Sequence, residues 1–88
     1  MSKTHKLKLL SHFCDDVYIG IRTFDVREND RGYQTGDYIF FTPYDGSEHP
    51  VKKCKFKITY ILNGWGIKNG YVVLGISNVS TEREDEEI

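Results

Sequence analysis

Residues 5–27, "HKLKLLSHFCDDVYIGIRTFDVR", change their hydrophobic period twice. From His5 to Leu10 the pattern alternates, with Leu7 and Leu9 on one face and Lys6 and Lys8 on the other, as in a half-buried strand. From Ser11 to Gly20 the period becomes helical. Ser11 suits an N-cap, and Asp15 and Asp16 lie near the helix start, where carboxylates complement the dipole. Phe13, Cys14 and Val17 recur on one stripe, and Gly20 fits the left-handed residue that closes a helix. Residues 22–27, "RTFDVR", then return to period two. A short helix is therefore expected between two strands.

Working outward, "ENDRGYQTGD" is turn chemistry throughout, with Gly32 and Gly36 among polar residues. Gly36-Asp37 reads as a turn in which glycine supplies a positive φ and Asp37 an acceptor. "DYIFFTPY" reads as a buried strand that ends at Pro43, and Asp45-Gly46 marks the next turn. "VKKCKFKITYIL" (51–62) places Cys54, Phe56, Ile58, Tyr60 and Leu62 on one face and Lys53, Lys55, Lys57, Thr59 and Ile61 on the other. Its lysine row is a solvated face that discourages sheet-edge pairing, or alternatively a phosphate track with Lys52. "NGWGIKNG" holds three glycines, and "YVVLGI" closes as a fully buried strand. One helix and about five short strands describe a mostly β, α+β domain, a small barrel or folded sheet with an added helix.

An 88-residue chain fits one domain, expected over residues 1–80. Its 39% hydrophobic and 14% aromatic content exceeds that of disordered chains. No apolar run reaches the ~20 residues that cross a bilayer, and the start lacks a signal peptide's apolar stretch. A soluble, cytoplasmic, monomeric protein is expected. Net charge is −1, but "EREDEEI" holds five acids against one arginine, so the remainder carries 11 basic and 8 acidic side chains. Residues 81–88 are expected to form a disordered acidic tail. The mildly basic body permits an anionic partner without demanding one. Cys14 and Cys54 read as free thiols. His5, His12 and Cys14 match no zinc spacing, so neither metal nor cofactor is expected.

The charged strand decides the functional reading. Alternation puts Arg22, Phe24 and Val26 on the core side and Thr23, Asp25 and Arg27 on the other, with Asp25 and Arg27 roughly 7 Å apart. A carboxylate at that distance fixes the guanidinium fork and leaves N–H donors free. Two readings stay open. The pair decorates an exposed edge, worth about 0–1 kcal/mol, or an oriented Arg27, with Arg22 and Arg31 nearby, receives a phosphate or a base.

Gly20, Arg22, Asp25 and Arg27, followed by Gly36-Asp37, resemble the signature of the ASCH domain family, Gly-x-Lys-x-x-Glu-x-Arg and a Gly-Asp turn. With "NDR", "ITYIL" and "GYVVLGI", the chain is similar from His5 to Ile76 to small stand-alone ASCH-type proteins of bacteria and prophages. The resemblance implies a PUA-like β pseudo-barrel of about five strands with a helix between the first two. It also implies RNA binding, of a single-stranded or modified segment, in a cleft near residues 22–33. Arg22 and Arg27 would meet phosphate or a base edge, and Asp25 would orient Arg27 or accept from an exocyclic amine. Thr23, Asn29 and Arg31 would add polar contacts, Tyr33 or Trp65 would stack, and Lys68 would meet the backbone. Trp65 is otherwise a lid over the barrel end. Arg27→Ala is expected to weaken binding with little change in melting temperature.

Two departures, Arg22 for Lys and Asp25 for Glu, keep the charge sign but alter reach. Some small ASCH proteins are amidohydrolases of acetylated cytidine that appear to use the signature Lys, a Thr and a distant Glu. Thr23 matches the Thr, but Arg22 cannot act as a base, and Tyr71 to Ile76 offer no acid. Binding is thus expected over catalysis. A protein-interaction module of prophage type is the third class.

Overall fold

The first strand, β1 (Thr4–Leu9), buries His5, Leu7 and Leu9 and turns Thr4, Lys6 and Lys8 outward, so its alternation becomes an inner and an outer face. The computed structural model describes residues 2–80. After β1 come α1 (Ser11–Ile19), β2 (Phe24–Glu28), β3 (Tyr38–Pro43), a 3-10 turn (Pro50–Lys53), β4 (Phe56–Leu62) and β5 (Tyr71–Asn78). The expected acidic tail, 81–88, lies outside the described residues. Among the described residues, no helix is long and apolar enough to cross a membrane.

Helix α1 ends as its sequence suggests. Gly20 takes φ 90°, and the carbonyl of Asp16 accepts from the backbone N–H groups of Gly20, Ile21 and Arg22 at 3.2, 3.0 and 3.0 Å. That closure turns the chain toward β2. The helix start differs from expectation: Leu10 holds the cap position without a side-chain bond, and Ser11 is already helical. Cys14 and Val17 face the core, and both Cys14 and Cys54 are buried free thiols.

The five strands form one sheet in the order β1-β3-β4-β5-β2. β1 runs parallel to β3, with Leu7 beside Phe41 and Leu9 beside Pro43, and the other pairings are antiparallel. Its concave side encloses Leu7, Leu9, Ile39, Phe41, Val51, Phe56, Ile58, Val72, Leu74 and Ile76, with Phe41 and Phe56 edge-to-face at 5.4 Å. The two edges, β1 and β2, approach each other where an Arg27 Nη2 donates to the Lys8 carbonyl. The sheet is thus a curled half-barrel with one helix between its first two strands, as the sequence implied.

The segment read as one strand over 51–62 is two structures. Pro50, whose fixed φ suits a helical first turn, opens the 3-10 turn, and His49 caps it by accepting the Val51 N–H on Nδ1 at 2.9 Å. Within β4 a register shift between Ile58 and Tyr60 reverses the side-chain parity. Tyr60 therefore faces solvent, and Ile61 packs against the core.

Candidate functional site

Strand β2 presents its faces opposite to the sequence reading. Phe24 and Val26 are 46% and 48% exposed, while Asp25 is 3% exposed. None of the apolar side chains of β2 belongs to the core cluster. The reason lies in the sheet order. β2 is the edge across from β1, where the barrel is open, so its inward positions meet a polar seam instead of dry core.

Asp25 anchors that seam. Its Oδ2 accepts from Arg27 Nε at 2.5 Å, and its Oδ1 lies 3.4 Å from Arg22 Nη2. The Arg22 guanidinium rests 3.9 Å from the Phe13 ring centroid, with Phe24 at 5.1 Å. Its Nη1 is buried and has no hydrogen-bond partner among the described residues. Arg27 thus holds a carboxylate with one nitrogen and the β1 backbone with another, a geometry only a guanidinium fork supplies.

The seam opens into a cleft of about 450 Å³ bordered by Lys8, Val26, Arg27, Glu28, Asp30, Arg31, Tyr33, Tyr44 and Tyr71. A smaller recess of about 170 Å³ continues past Arg27 to Arg22, Asp25, Leu10 and Phe13. Lys8, Val26, Arg27 and Tyr44 line both. Three cations stand against two carboxylates in the main cleft. Burial pushes the Tyr33 phenol up, partly offset by Arg27 and Arg31, so its hydroxyl stays protonated at neutral pH.

The structure gathers Arg22, Asp25, Arg27, Arg31 and Tyr33 along this seam and scatters the rest. Tyr33 is buried, tilted against His5 at 4.8 Å, so its ring faces are not open to a stacked base, contrary to the expectation for it. Asn29 accepts the Tyr33 N–H at 3.3 Å and holds the loop. Asn29 and Lys68 line a separate groove of about 260 Å³ on the other side of Tyr71. Thr23 and Trp65 line none of these three hollows. Lys8, Tyr44 and Tyr71 escaped sequence reasoning, because only the meeting of two sheet edges brings them together. An exposed Tyr44 directly after the strand-ending Pro43 is the one local signal.

His5, His12 and Cys14, near one another in the sequence, occupy separate environments. His5 bonds Asp37, His12 stacks on Phe13 and Cys14 faces the Leu9 and Leu10 carbonyls.

A family model for a domain of unknown function, DUF3850, matches residues 4–76. This chain belongs to the DUF3850 family. No curated protein sequence matches it. The DUF3850 match runs from the start of β1 into β5 and so includes both sheet edges and the seam.

Trp65 of this DUF3850 domain is 90% exposed and adopts φ 55°, a left-handed conformation that costs a non-glycine residue about 1–2 kcal/mol. It is no lid. Trp65→Gly is expected to unfold in urea within about 1 kcal/mol of the parent, because relief of strain offsets glycine's added chain entropy. A loss of about 3–5 kcal/mol, as for a buried tryptophan, would place the indole in the core after all.

Proposed function

We propose that this DUF3850 domain is an ASCH-type, PUA-like module that binds RNA, a single-stranded or modified segment, in the seam cleft. The observation carrying the reading is the Asp25-oriented Arg27 at the junction of the two hollows. Its neighbours supply what a nucleotide needs. Lys8 and Arg31 meet phosphate, and Tyr44 offers an open aromatic face. The cleft volume falls in the ordinary range for small-ligand sites. The helix between β1 and β2 and the five-stranded half-barrel are those expected of the ASCH resemblance.

Because Arg27 bridges buried Asp25 and the β1 backbone, Arg27→Ala disturbs the seam as well as the cleft and is expected to lower the melting temperature too, which makes it a poor test of binding. Arg31 and Tyr44 are exposed and better placed. Tyr44→Ala is expected to weaken binding of a labelled single-stranded RNA about tenfold, the loss of one stacked base, at an unchanged melting temperature. Arg31→Ala should weaken it less and flatten its salt dependence. Fluorescence anisotropy reads both. Parent-like affinity in both variants excludes the seam cleft as the RNA site.

A further inference from the structure

Outside the cleft, the convex face of β1, β3 and β4 combines cations with aromatic rings. Lys6 stands beside Phe40 and Lys57 beside Tyr38 in the strand register. The Lys55 ammonium lies 4.2 Å from the Tyr38 ring centroid, and the Lys8 ammonium 5.6 Å from that of Tyr44. Tyr38 and Phe40 are half-buried, two residues apart on one face of β3 and so roughly 7 Å apart. None of these three strands contains an acidic residue.

Protection of a sheet edge explains lysines on β1, which is an edge strand. It does not explain Lys57 on β4, which lies between β3 and β5 and has no free edge. The sequence row 52–57 is also regrouped. Lys52 turns aside to pair with Glu48 at 3.1 Å, while Lys55 and Lys57 join Lys6 and Lys8 from a distant strand. Lys8 lines the cleft as well, so the two surfaces meet at its side chain.

We propose that this face is a second nucleic-acid surface, a track along which single-stranded RNA leaving the cleft lays its phosphates on Lys6, Lys55 and Lys57 and a base on Phe40 or Tyr38. The inference rests on the RNA reading of the cleft and deepens it: the ligand is a strand longer than the cleft alone can hold. Charge complementarity selects a polyanion, and the aromatic pair selects one with unstacked bases.

The test measures binding of a trinucleotide and a dodecanucleotide of single-stranded oligouridylate to the parent and to the Lys6→Gln/Lys55→Gln/Lys57→Gln variant. These lysines are exposed, and a matching Lys→Arg triple controls for folding. The glutamine variant is expected to lose about tenfold in dodecanucleotide affinity, with the log–log salt slope shallower by about 2, as three released phosphate contacts require. Its trinucleotide affinity should stay at the parental value, and the arginine triple should bind like the parent. An unchanged dodecanucleotide affinity and slope, with Tyr44→Ala still weakening both oligonucleotides, overturns the track and leaves the cleft standing. Equal losses for both lengths also overturn it, since the lysines then act only through the general field. Failure of the parent to bind either oligonucleotide overturns cleft and track together.

Discussion

Asp25→Ala is expected to lower the unfolding free energy by about 3 kcal/mol, as removal of one partner of a buried ion pair does. In a domain of this length that corresponds to a fall in melting temperature of roughly 15 °C. Arg22 and Arg27 are only 14% and 21% exposed at their side chains, and among the described residues Asp25 is the one carboxylate paired with either. Without it two guanidiniums are left at the seam without their shared counter-charge. Combining Asp25→Ala with Arg22→Met should recover part of the loss, because an apolar chain can occupy the slot against Phe13 without a counter-charge. Thermal unfolding of the single and double variants reads the coupling. A single variant that melts within a few degrees of the parent would show the triad to be ordinary surface pairing.

The second large effect belongs to Asp37, which is fully buried beneath the turn between β2 and β3. It accepts from the Lys3 N–H at 3.0 Å, the Gln34 N–H at 3.1 Å and His5 Nε2 at 2.9 Å. Burial alone would push its carboxyl up. The bonds from His5, Lys3 and Gln34, and the charge His5 carries when protonated, outweigh burial and hold it below the ordinary range. A carboxyl lowered by folding stabilises the native state above its unfolded value of about 3.9, and that contribution is lost as pH falls through the lower native value. Asp37→Asn is expected to cost about 2–3 kcal/mol at neutral pH, since the amide cannot accept from all three donors. The gap between variant and parent should narrow below about pH 4, where Asp37 of the unfolded parent begins to protonate while its native carboxyl still resists. Urea unfolding at neutral pH and near pH 3 measures both, and a pH-independent gap would mean the carboxylate charge contributes nothing.

The outline of the fold was legible because helix α1 and strand β1 advertise their periods and because Gly20 and Gly36 take positive φ where turns need it. Asp37 was legible only as a turn acceptor. Its link to His5 joins two strands that are neighbours in the sheet and distant in the chain. Alternation in β2 correctly separated two faces but could not say which one points inward. Phe24 and Val26 looked like core, yet the ion triad takes the inner side because β2 borders an opening. In β4 a single register shift exchanged Tyr60 and Ile61, which no composition rule marks. Arg22, Asp25 and Arg27 stood out by the charge spacing of their strand, whereas Lys8, Tyr44 and Tyr71 needed the curl of the sheet.

Strand order also dictates when the cleft can exist. β1 and β2 bound it and are separated in the chain by little more than one helix, yet they share no ladder of hydrogen bonds. Each is secured by a strand later in the sequence, β1 by β3 and β2 by β5, the last of the described strands. A nascent chain therefore carries Phe24 and Val26 on an unpaired strand until Tyr71–Asn78 arrives to pair with it. The non-local closure places the domain among slower folders. The seam cannot close before β5 has paired with β2, and a ligand that bridges its two sides engages only chains in which that pairing exists.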